Sequence, residues 1–266
     1  MIPKMIHYCW FGRNPKPKLA EKCIKSWRKY CPDYKIIEWN EDNFDLGSAP
    51  LYVRQAYEAK KWAFVTDYVR LWAMTRFGGI YMDTDVEVIK PLDRFLCHEA
   101  FSGFEDETHI PTGIMACEKD FPLFLELMRY YDTARFLDDE GNPVTTTNVT
   151  IISDICLKAG LIPNNQFQIV QGFALYPKDY FCPISYATST LKKTRNTATI
   201  HWFAASWHTE SEREAHKRYV EEHKKNVIML RKEKLGLKAR AILKAAVGEK
   251  GYQLIKQLLG RGKEES

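Results

Sequence analysis

Asp83 and Asp85 are the two side chains of this sequence whose type and spacing point most directly to chemistry. Side chains at positions i and i+2 leave an extended chain on the same side, so these two carboxylates can converge on one site. Two carboxylates suit Mg²⁺ or Mn²⁺, hard ions that keep coordination positions open for phosphate oxygens. Such an ion neutralises the charge that develops on a departing diphosphate. The spacing therefore predicts a site for one divalent cation.

The residues in front of the two aspartates predict how that site is positioned. Residues 62–77 are apolar around most of a helical circumference, which is typical of a buried helix. Gly78 and Gly79 follow, and glycine readily takes the left-handed backbone that ends a helix. A short apolar strand over residues 80–82 then leads to the aspartates, and residues 86–89 form a further predicted strand.

Asp67 and Arg70 interrupt that apolar helix, three positions apart. Charged side chains are rarely buried unless they are paired or functional. A structural ion pair would explain both residues without any part in chemistry. Their position in the helix that leads to the aspartates favours a place in the same site.

The opening of the chain predicts the sheet around this site. Residues 2–12 read as a first strand that ends in a glycine turn, residues 15–30 as an amphipathic helix and residues 34–39 as a second strand. Strand, helix and strand in this order are typical of a nucleotide-binding sheet, whose ligand lies at the carboxyl ends of the strands. His7, in the middle of the first strand, reads as a core histidine.

The ordered motifs resemble the Asp-x-Asp sugar-transferase family. The stretches that carry the resemblance are FVTDYVR at residues 64–70 and FGGIYMDTD at residues 77–85. That family includes capsule and lipopolysaccharide glycosyltransferases of bacteria and the initiating mannosyltransferases of the yeast Golgi, with the clostridial glucosylating toxins as more distant relatives. The resemblance implies an α/β fold of the GT-A type, a Rossmann-like mixed central sheet flanked by helices.

The resemblance also implies roles for individual residues. Asp85 would bind the metal directly, and Asp83 would contact the donor ribose or sugar as well as the metal shell. Asp67 and Arg70 would hold sugar hydroxyls, and Tyr81 would belong to the donor site. The four charged residues among these five form the predicted catalytic set.

Two tryptophans extend the implied donor site. Trp10, at the end of the first strand, would stack on the nucleotide base. An aromatic ring can stack on any base, because every base has a flat π face. The stretch TIHWFAASWH at residues 199–208 resembles the end of the family's catalytic domain. It offers a third metal ligand, and Ser206 and Trp207 would contact the diphosphate. A strand of core tryptophans is the structural alternative for this stretch.

Two histidines compete for the place of third metal ligand. His201 is the implied one, and His208 lies seven residues further on. The donor sugar is also open, because many family members have Asn near position 112 and this chain has Thr112. That residue falls in a predicted strand over residues 110–117.

Charge divides the chain unevenly. The net charge is +5, and residues 212–266 hold 15 Lys/Arg and 8 Asp/Glu, or +7, which leaves −2 for the rest. We therefore predict a catalytic domain over residues 1–210 and a basic helical extension over residues 211–266. Basic amphipathic helices bind anionic membrane surfaces, whereas a solvated helix that packs on the domain is the plainer interpretation. No nucleic-acid motif accompanies the charge, so nucleic acid is not an expected partner.

Cysteine use and hydropathy give an expected location. The seven cysteines form no Cys-x-x-Cys pair, which favours free thiols in a reducing cytosol over disulfides or a zinc site. No stretch approaches the roughly 18 apolar residues of a membrane span, and the first residues have no signal-peptide pattern. The expectation is a cytoplasmic enzyme, peripheral at most on the inner face of the cell membrane.

Together these observations predict a metal-dependent hexosyl- or N-acetylhexosaminyltransferase. Its expected cofactor is Mn²⁺ or Mg²⁺, its donor a nucleotide-sugar with UDP favoured, and its acceptor a glycan or lipid-linked oligosaccharide. The resemblance implies retention of anomeric configuration and a role in bacterial surface polysaccharide synthesis.

Two alternatives stay open on the residues alone. Phosphatases of the haloacid-dehalogenase type also place Asp-x-Asp after an apolar strand, but their motif has Thr or Val where this chain has Glu87. The other is a non-catalytic adaptor that binds membranes through its basic helices.

Overall fold

The computed structural model describes residues 1–204 apart from 107, 145 and 186, and a further set of short segments at 214–215, 217–222, 225–226, 228–229, 242 and 245–249. Contacts divide the chain into two compact units, Met1–Thr209 and Glu210–Ser266. In the second unit, residues 217–222 and 245–249 are helical, and the rest of the predicted basic extension lies largely outside the described residues. No helix among the described residues is long and apolar enough to cross a membrane.

The first unit is built from strands and helices that alternate along the first third of the chain. The strands are β1 Met5–Cys9, β2 Lys35–Trp39, β3 Gly79–Met82, β4 Val86–Val88, β5 Ala100–Gly103, β6 Ile114–Cys117, β7 Gln168–Val170, β8 Phe173–Tyr176, β9 Ile184–Ser185, β10 Thr190–Leu191 and β11 Thr199–His201. The helices are α1 Lys18–Tyr30, α2 Leu51–Glu58, α3 Trp62–Phe77, α4 Pro122–Thr133 and α5 Asn148–Lys158.

Seven of the strands form one mixed sheet in the order β2-β1-β3-β6-β5-β8-β7. β1 is parallel to β2 and β3, and β6 runs antiparallel to both β3 and β5. The carboxyl ends of β1, β3 and β5 therefore meet at one edge, where α/β sheets bind their ligands. The predicted α/β class, with a mixed central sheet flanked by helices as in the GT-A type, is confirmed.

A separate two-stranded ribbon joins the end of the first unit to the aspartates. β11 pairs antiparallel with β4, and His201 lies opposite Val86. Because Val86 directly follows Asp85, this pairing carries a residue from the far end of the unit to the predicted metal site.

Apolar clusters cover both faces of the sheet, so its central strands are buried on both sides. Successive residues of β3 point to opposite faces: Ile80 and Met82 join one cluster, and Tyr81 joins the other. Such strands read as continuous apolar runs, which is why residues 80–82 could be recognised from the sequence.

Helix α3 has the predicted bounds, and its end is shaped by the two glycines. Gly78 and Gly79 have φ values of +67° and +106°. A Cβ on Gly79 would lie 2.8 Å from the carbonyl oxygen of Met5 and 3.1 Å from Nε2 of His7. A side chain here would therefore be strained by its backbone angle and would also push β1 away from β3.

His7 is the core histidine that the sequence predicts. It is fully buried, and its Nδ1 accepts a hydrogen bond from Nε1 of Trp39 at 3.2 Å. Its Nε2 is then the protonated nitrogen and donates to the carbonyl oxygen of Gly78 at 2.8 Å. Burial lowers the pKa of His7 to about 4, which keeps the ring neutral.

Two further predictions, on the cysteines and on residues 110–117, have different outcomes. All seven cysteines are free, as predicted. The predicted strand over residues 110–117 is wrong in its first half, because β6 begins only at Ile114 and residues 110–113 are irregular. Pro111 has no N–H for a sheet ladder, and the loop instead turns its carbonyl groups towards the site.

Candidate active site

Asp83 leaves the sheet at the end of β3 and is fixed by its neighbours. Its backbone N–H donates to the carbonyl oxygen of Gly113 at 2.8 Å, which extends the pairing of β3 with the chain before β6. Its Oδ1 accepts a hydrogen bond from the hydroxyl of Tyr81 at 2.8 Å. Tyr81 is buried, with only 1% of the residue exposed. The position predicted for a donor-site tyrosine thus supports the first aspartate directly.

Arg70 lies between two carboxylates. Its Nη2 is 3.2 Å from Oδ1 of Asp67 and 3.4 Å from Oδ1 of Asp83, and its guanidinium carbon is 4.8 Å from the centroid of the Tyr81 ring. Its Nη1 donates to the carbonyl oxygen of Thr112 at 2.9 Å. The guanidinium therefore joins α3, β3 and the loop before β6. Arg70 therefore forms an ion pair with Asp67 and also contacts Asp83, the first aspartate of the motif.

Asp67 is buried beside this guanidinium. Burial raises the pKa of its carboxyl group to about 6, with a further increase from the charge of Asp83 and an opposing decrease from Arg70. Asn148, the first residue of α5, donates from its side chain to the backbone carbonyl of Asp67 at 2.7 Å. The hydroxyl of Tyr131 in turn donates to Oδ1 of Asn148 at 2.5 Å.

Asp85 is held by the chain that follows β11. Its Oδ1 is 3.4 Å from Nε2 of His201, and its Oδ2 accepts a hydrogen bond from the backbone N–H of Ala204 at 2.8 Å. The backbone N–H of Trp202 donates to the carbonyl oxygen of Asp85 at 3.0 Å. The side chain and the backbone carbonyl of Asp85 are therefore both held by residues near the end of the first unit.

Asp85 and His201 also change each other's protonation. Burial alone would lower the pKa of His201, but the charge and hydrogen bond of Asp85 outweigh it and raise that pKa well above its usual value. Burial would raise the pKa of Asp85, but the charge and hydrogen bond of His201 hold it below its usual value. In this state the pair is an imidazolium and a carboxylate.

Asp83, Asp85 and His201 bring one ligand atom each to within 4.8 Å of one another. Two carboxylate oxygens and an imidazole nitrogen form a donor set that suits Mn²⁺ or Mg²⁺. The residues fit a divalent cation, because all three converge at the sheet edge. To bind the metal, the imidazole of His201 must give up its extra proton.

Of the other residues predicted for the donor site, the structure describes Trp10. Trp10 follows β1 at the same sheet edge, where its Nε1 donates to the carbonyl oxygen of Asn14 at 2.7 Å and Nζ of Lys16 lies 5.6 Å from its ring. It is half-buried, so part of the indole is open to a ligand. Ser206, Trp207 and His208 lie outside the described residues.

The structure adds a residue to the site that sequence reasoning missed. A Cβ on Gly113 would lie 2.8 Å from Cε1 and 3.0 Å from Nδ1 of His201, so only glycine lets that ring approach. Residues 110–117 could be linked to the site by resemblance, but the contact is between residues 88 positions apart. No local pattern indicates it.

Glu105 is the second residue that sequence reasoning missed. It directly follows Phe104 after β5, and the charges of His201 and Asp83 both act on its carboxyl group. Burial raises the pKa of Glu105. The sequence places this residue in a polar loop and gives no sign that the charges of His201 and Asp83 act on it.

One protein family and several known proteins are similar to this chain. Residues 17–102 match the family described as "Glycosyltransferase sugar-binding region containing DXD motif". Inositol phosphoceramide mannosyltransferase 3 of Schizosaccharomyces pombe is 29% identical over 132 residues, which are 48% of this chain and 36% of that protein. Mannosyl phosphorylinositol ceramide synthase SUR1 of Saccharomyces cerevisiae is 26% identical over 148 residues, which are 52% of this chain and 37% of that protein.

Two similar solved structures are also glycosyltransferases. The PaToxG glycosyltransferase has a TM-score of 0.47 and 18% identity and covers 59% of this chain and 69% of its own. The galactosyltransferase LgtC, solved with donor and acceptor sugar analogs, has a TM-score of 0.39 and 15% identity and covers 83% of this chain and 95% of its own.

The matched stretches span little more than a third of the length of the two fungal relatives. Within this chain, the family match includes α3, β3 and both aspartates of the motif. The resemblance drawn from the sequence is confirmed: residues 17–102 are similar to the sugar-binding region of glycosyltransferases with a DXD motif.

Proposed function

We propose that this protein is a metal-dependent glycosyltransferase that moves a sugar from a nucleotide-sugar to a glycan or lipid-linked acceptor. The observation that carries the proposal is the convergence of Asp83, Asp85 and His201 at the carboxyl end of β3. Three ligands from one protein leave positions open on a divalent cation, as a diphosphate requires. The family match over residues 17–102 supports the same chemistry.

The chain's own residues divide the work of such a reaction. When bound, the cation would stabilise the negative charge of the departing diphosphate. Asp67 and Arg70 present a carboxylate and a guanidinium to the hydroxyls of the donor sugar, and Tyr81 holds Asp83 in place. Trp10 offers an indole face for the base at the neighbouring strand end. Fixed charges of this kind act without reorganisation during the reaction.

Donor and acceptor are proposed at the level of class. UDP-sugars are the favoured donors, with a hexose or N-acetylhexosamine transferred under retention of configuration. The names of the fungal relatives point to mannose and to inositol phosphoceramide, so a mannosyl donor and a lipid acceptor belong in the same test. We place the reaction at the cytoplasmic face of a cell membrane, in bacterial surface polysaccharide synthesis.

Cleavage of the donor tests this function before the acceptor is known. Purified protein with Mn²⁺ is incubated with UDP-, GDP- and CMP-sugars, and release of free nucleoside diphosphate or monophosphate is measured with and without EDTA. We expect one nucleotide class to be cleaved, with full loss in EDTA and in Asp83→Asn. Asp42→Asn, at an exposed turn, serves as the matched control. Absence of metal-dependent cleavage with every donor would contradict the proposal.

A further inference from the structure

Glu105 lies at the same edge of the sheet as the metal site. β3 and β5 both run antiparallel to β6, so their carboxyl ends point the same way. Asp83 follows β3, and Glu105 comes two residues after the end of β5. Neighbouring strands lie about 4.8 Å apart, so the two strand ends are about 10 Å apart with β6 between them. The loop that leads into β6 lies in that interval, where the carbonyl oxygen of Gly113 accepts from the backbone N–H of Asp83 and that of Pro111 accepts from the hydroxyl of Ser102 on β5.

The backbone around Glu105 is fixed by its own loop. The N–H of Glu105 donates to the carbonyl oxygen of His109 at 2.8 Å. Oδ1 of Asp106 accepts hydrogen bonds from the backbone N–H groups of Thr108 and His109 at 2.7 and 2.8 Å. The loop therefore holds its first residue in place, while Asp106 and His109 are engaged with each other.

The carboxylate of Glu105 is left for a ligand. Among the residues that the structure describes, none donates a hydrogen bond to it or forms an ion pair with it. The charges of His201 and Asp83 act on it, together with those of Asp106 and His109 of its own loop. A partly buried carboxylate is rarely left without a donor, and sugar hydroxyls are donors of the right kind.

The order of strands tells which part of the substrates reaches Glu105. Along the edge, the order is β1 with Trp10, then β3 with Asp83, then β6, then β5 with Glu105. A donor with its base at Trp10 and its diphosphate at the cation extends along this edge towards β5. We propose that the carboxylate of Glu105 binds a hydroxyl group of the acceptor, on the side of the metal site away from the nucleotide. This inference rests on the proposed glycosyltransferase function.

The test separates donor cleavage from transfer. Glu105→Gln keeps the size of the side chain and removes its charge, and Glu58→Gln, at the exposed end of α2, is the matched control. Each variant and the wild type receive Mn²⁺ and the cleaved donor. Methyl α-mannoside and vesicles that contain inositol phosphoceramide serve as acceptor probes. Nucleotide release without acceptor measures donor cleavage, and labelled glycoside or lipid measures transfer.

A hydrogen bond to a charged group contributes about 1.5–3 kcal/mol, or about ten- to a hundredfold in a rate or binding constant. We therefore expect Glu105→Gln to lower kcat/KM for transfer about tenfold or more. Donor cleavage and the Mn²⁺-dependent thermal shift with donor are expected to stay within about twofold of wild type. Glu58→Gln should match wild type in both assays.

Three results would overturn the inference. Transfer unchanged in Glu105→Gln would show that the carboxylate binds no acceptor. Equal losses of donor cleavage and transfer would place Glu105 on the donor or the metal instead, and wild-type protein that cleaves donor but transfers to neither probe would contradict an acceptor site for these classes. Failure of the proposed function is distinct from all three, because it would leave the wild type without donor cleavage.

Discussion

At the scale of single residues, the site depends on side chains that serve several partners at once. Arg70 is the clearest case, since one guanidinium contacts Asp67, Asp83 and the carbonyl group of Thr112. Its planar group offers five N–H donors in fixed directions, which a lysine ammonium cannot reproduce. The same geometry that stabilises the fold therefore holds the side chains of the proposed donor site in one arrangement.

Arg70→Lys should consequently damage both stability and activity. We expect the free energy of unfolding to fall by about 2 kcal/mol, because one ammonium cannot reach Asp67, Asp83 and the carbonyl of Thr112 together and leaves a buried acceptor without its donor. Chemical denaturation of wild type and variant measures this loss. Arg76→Lys, at the exposed end of the same helix, is the control and should change stability by less than about 0.5 kcal/mol. Equal stability of Arg70→Lys and wild type would contradict the network.

Gly113 sets the position of His201 by having no side chain. In Gly113→Ala the new Cβ would lie 2.8 Å from Cε1 of His201, so the ring must move. Residues that orient a metal ligand change metal affinity by about ten- to a hundredfold, and we expect a loss of that size for Mn²⁺. Isothermal titration with Mn²⁺ measures it, with Gly47→Ala in an exposed turn as the control. Unchanged affinity would show that His201 does not bind the ion.

At the scale of elements, the junction of β1, α3 and β3 positions the aspartates. His7 on β1 donates to the carbonyl oxygen of Gly78, the residue after α3, and Gly79 then starts β3 against the carbonyl oxygen of Met5. The neutral ring accepts from Trp39 on the other side, so β2 is part of the same junction. A side chain on Gly79 would therefore move the strand that carries Asp83.

His7 gives this junction a dependence on pH with a definite sign. Its pKa is about 4 in the folded protein and 6.5 in the unfolded chain. The unfolded state therefore binds the proton first, and the stability that neutral His7 contributes is present above pH 6.5 and is lost as the pH falls towards 4. A difference of this size corresponds to about 3 kcal/mol.

His7→Gln should remove that dependence. Wild type is expected to be the more stable protein at pH 7, and the difference in free energy of unfolding between the two should shrink steadily from pH 6.5 to pH 4. Urea denaturation at each pH measures the difference. A constant difference across this range would mean that His7 does not stay neutral in the fold.

Local patterns explain which elements could be predicted from the sequence. α3, its glycine end and β3 follow from apolar periodicity and from residue types within a stretch of twenty residues. The strand predicted over residues 110–113 is wrong, because Pro111 has no N–H for a sheet ladder and the carbonyl group of Thr112 accepts from Arg70. Gly113 and Glu105 were missed for the same reason: their partners are distant in sequence, and neither residue type is unusual in a loop.

At the scale of the whole molecule, the sheet arranges the candidate site along one edge. The carboxyl ends of β1, β3 and β5 present Trp10, Asp83 and Glu105 in that order. The ribbon of β4 and β11 then brings His201 to the middle of this row. This order is a property of the topology, which is why the proposed metal ligand His201 lies more than a hundred positions from Asp83 and Asp85.

The basic segment from 211 to 266 stays a prediction with its own test. Its excess of positive charge should bind anionic vesicles at low salt and release them at high salt, because surface electrostatics are screened. Co-sedimentation with phosphatidylserine vesicles measures the binding. Changing Lys244, Lys250 and Lys256 to Gln should weaken it, whereas the same change at the exposed Lys18, Lys25 and Lys29 of α1 should not. Equal losses in both triple variants would contradict a membrane role for this segment.

We propose that Asp83, Asp85 and His201 hold a divalent cation that binds a nucleotide-sugar. The melting temperature of wild type and Asp85→Ala, measured with Mn²⁺ and each of the UDP-, GDP- and CMP-sugars, tests this proposal. We predict stabilisation of the wild type by one nucleotide class only when Mn²⁺ is present, since a ligand that binds the folded state raises its stability. Asp85→Ala should melt cooperatively and show no such shift. A metal-independent shift, or the same shift in Asp85→Ala, would contradict the account.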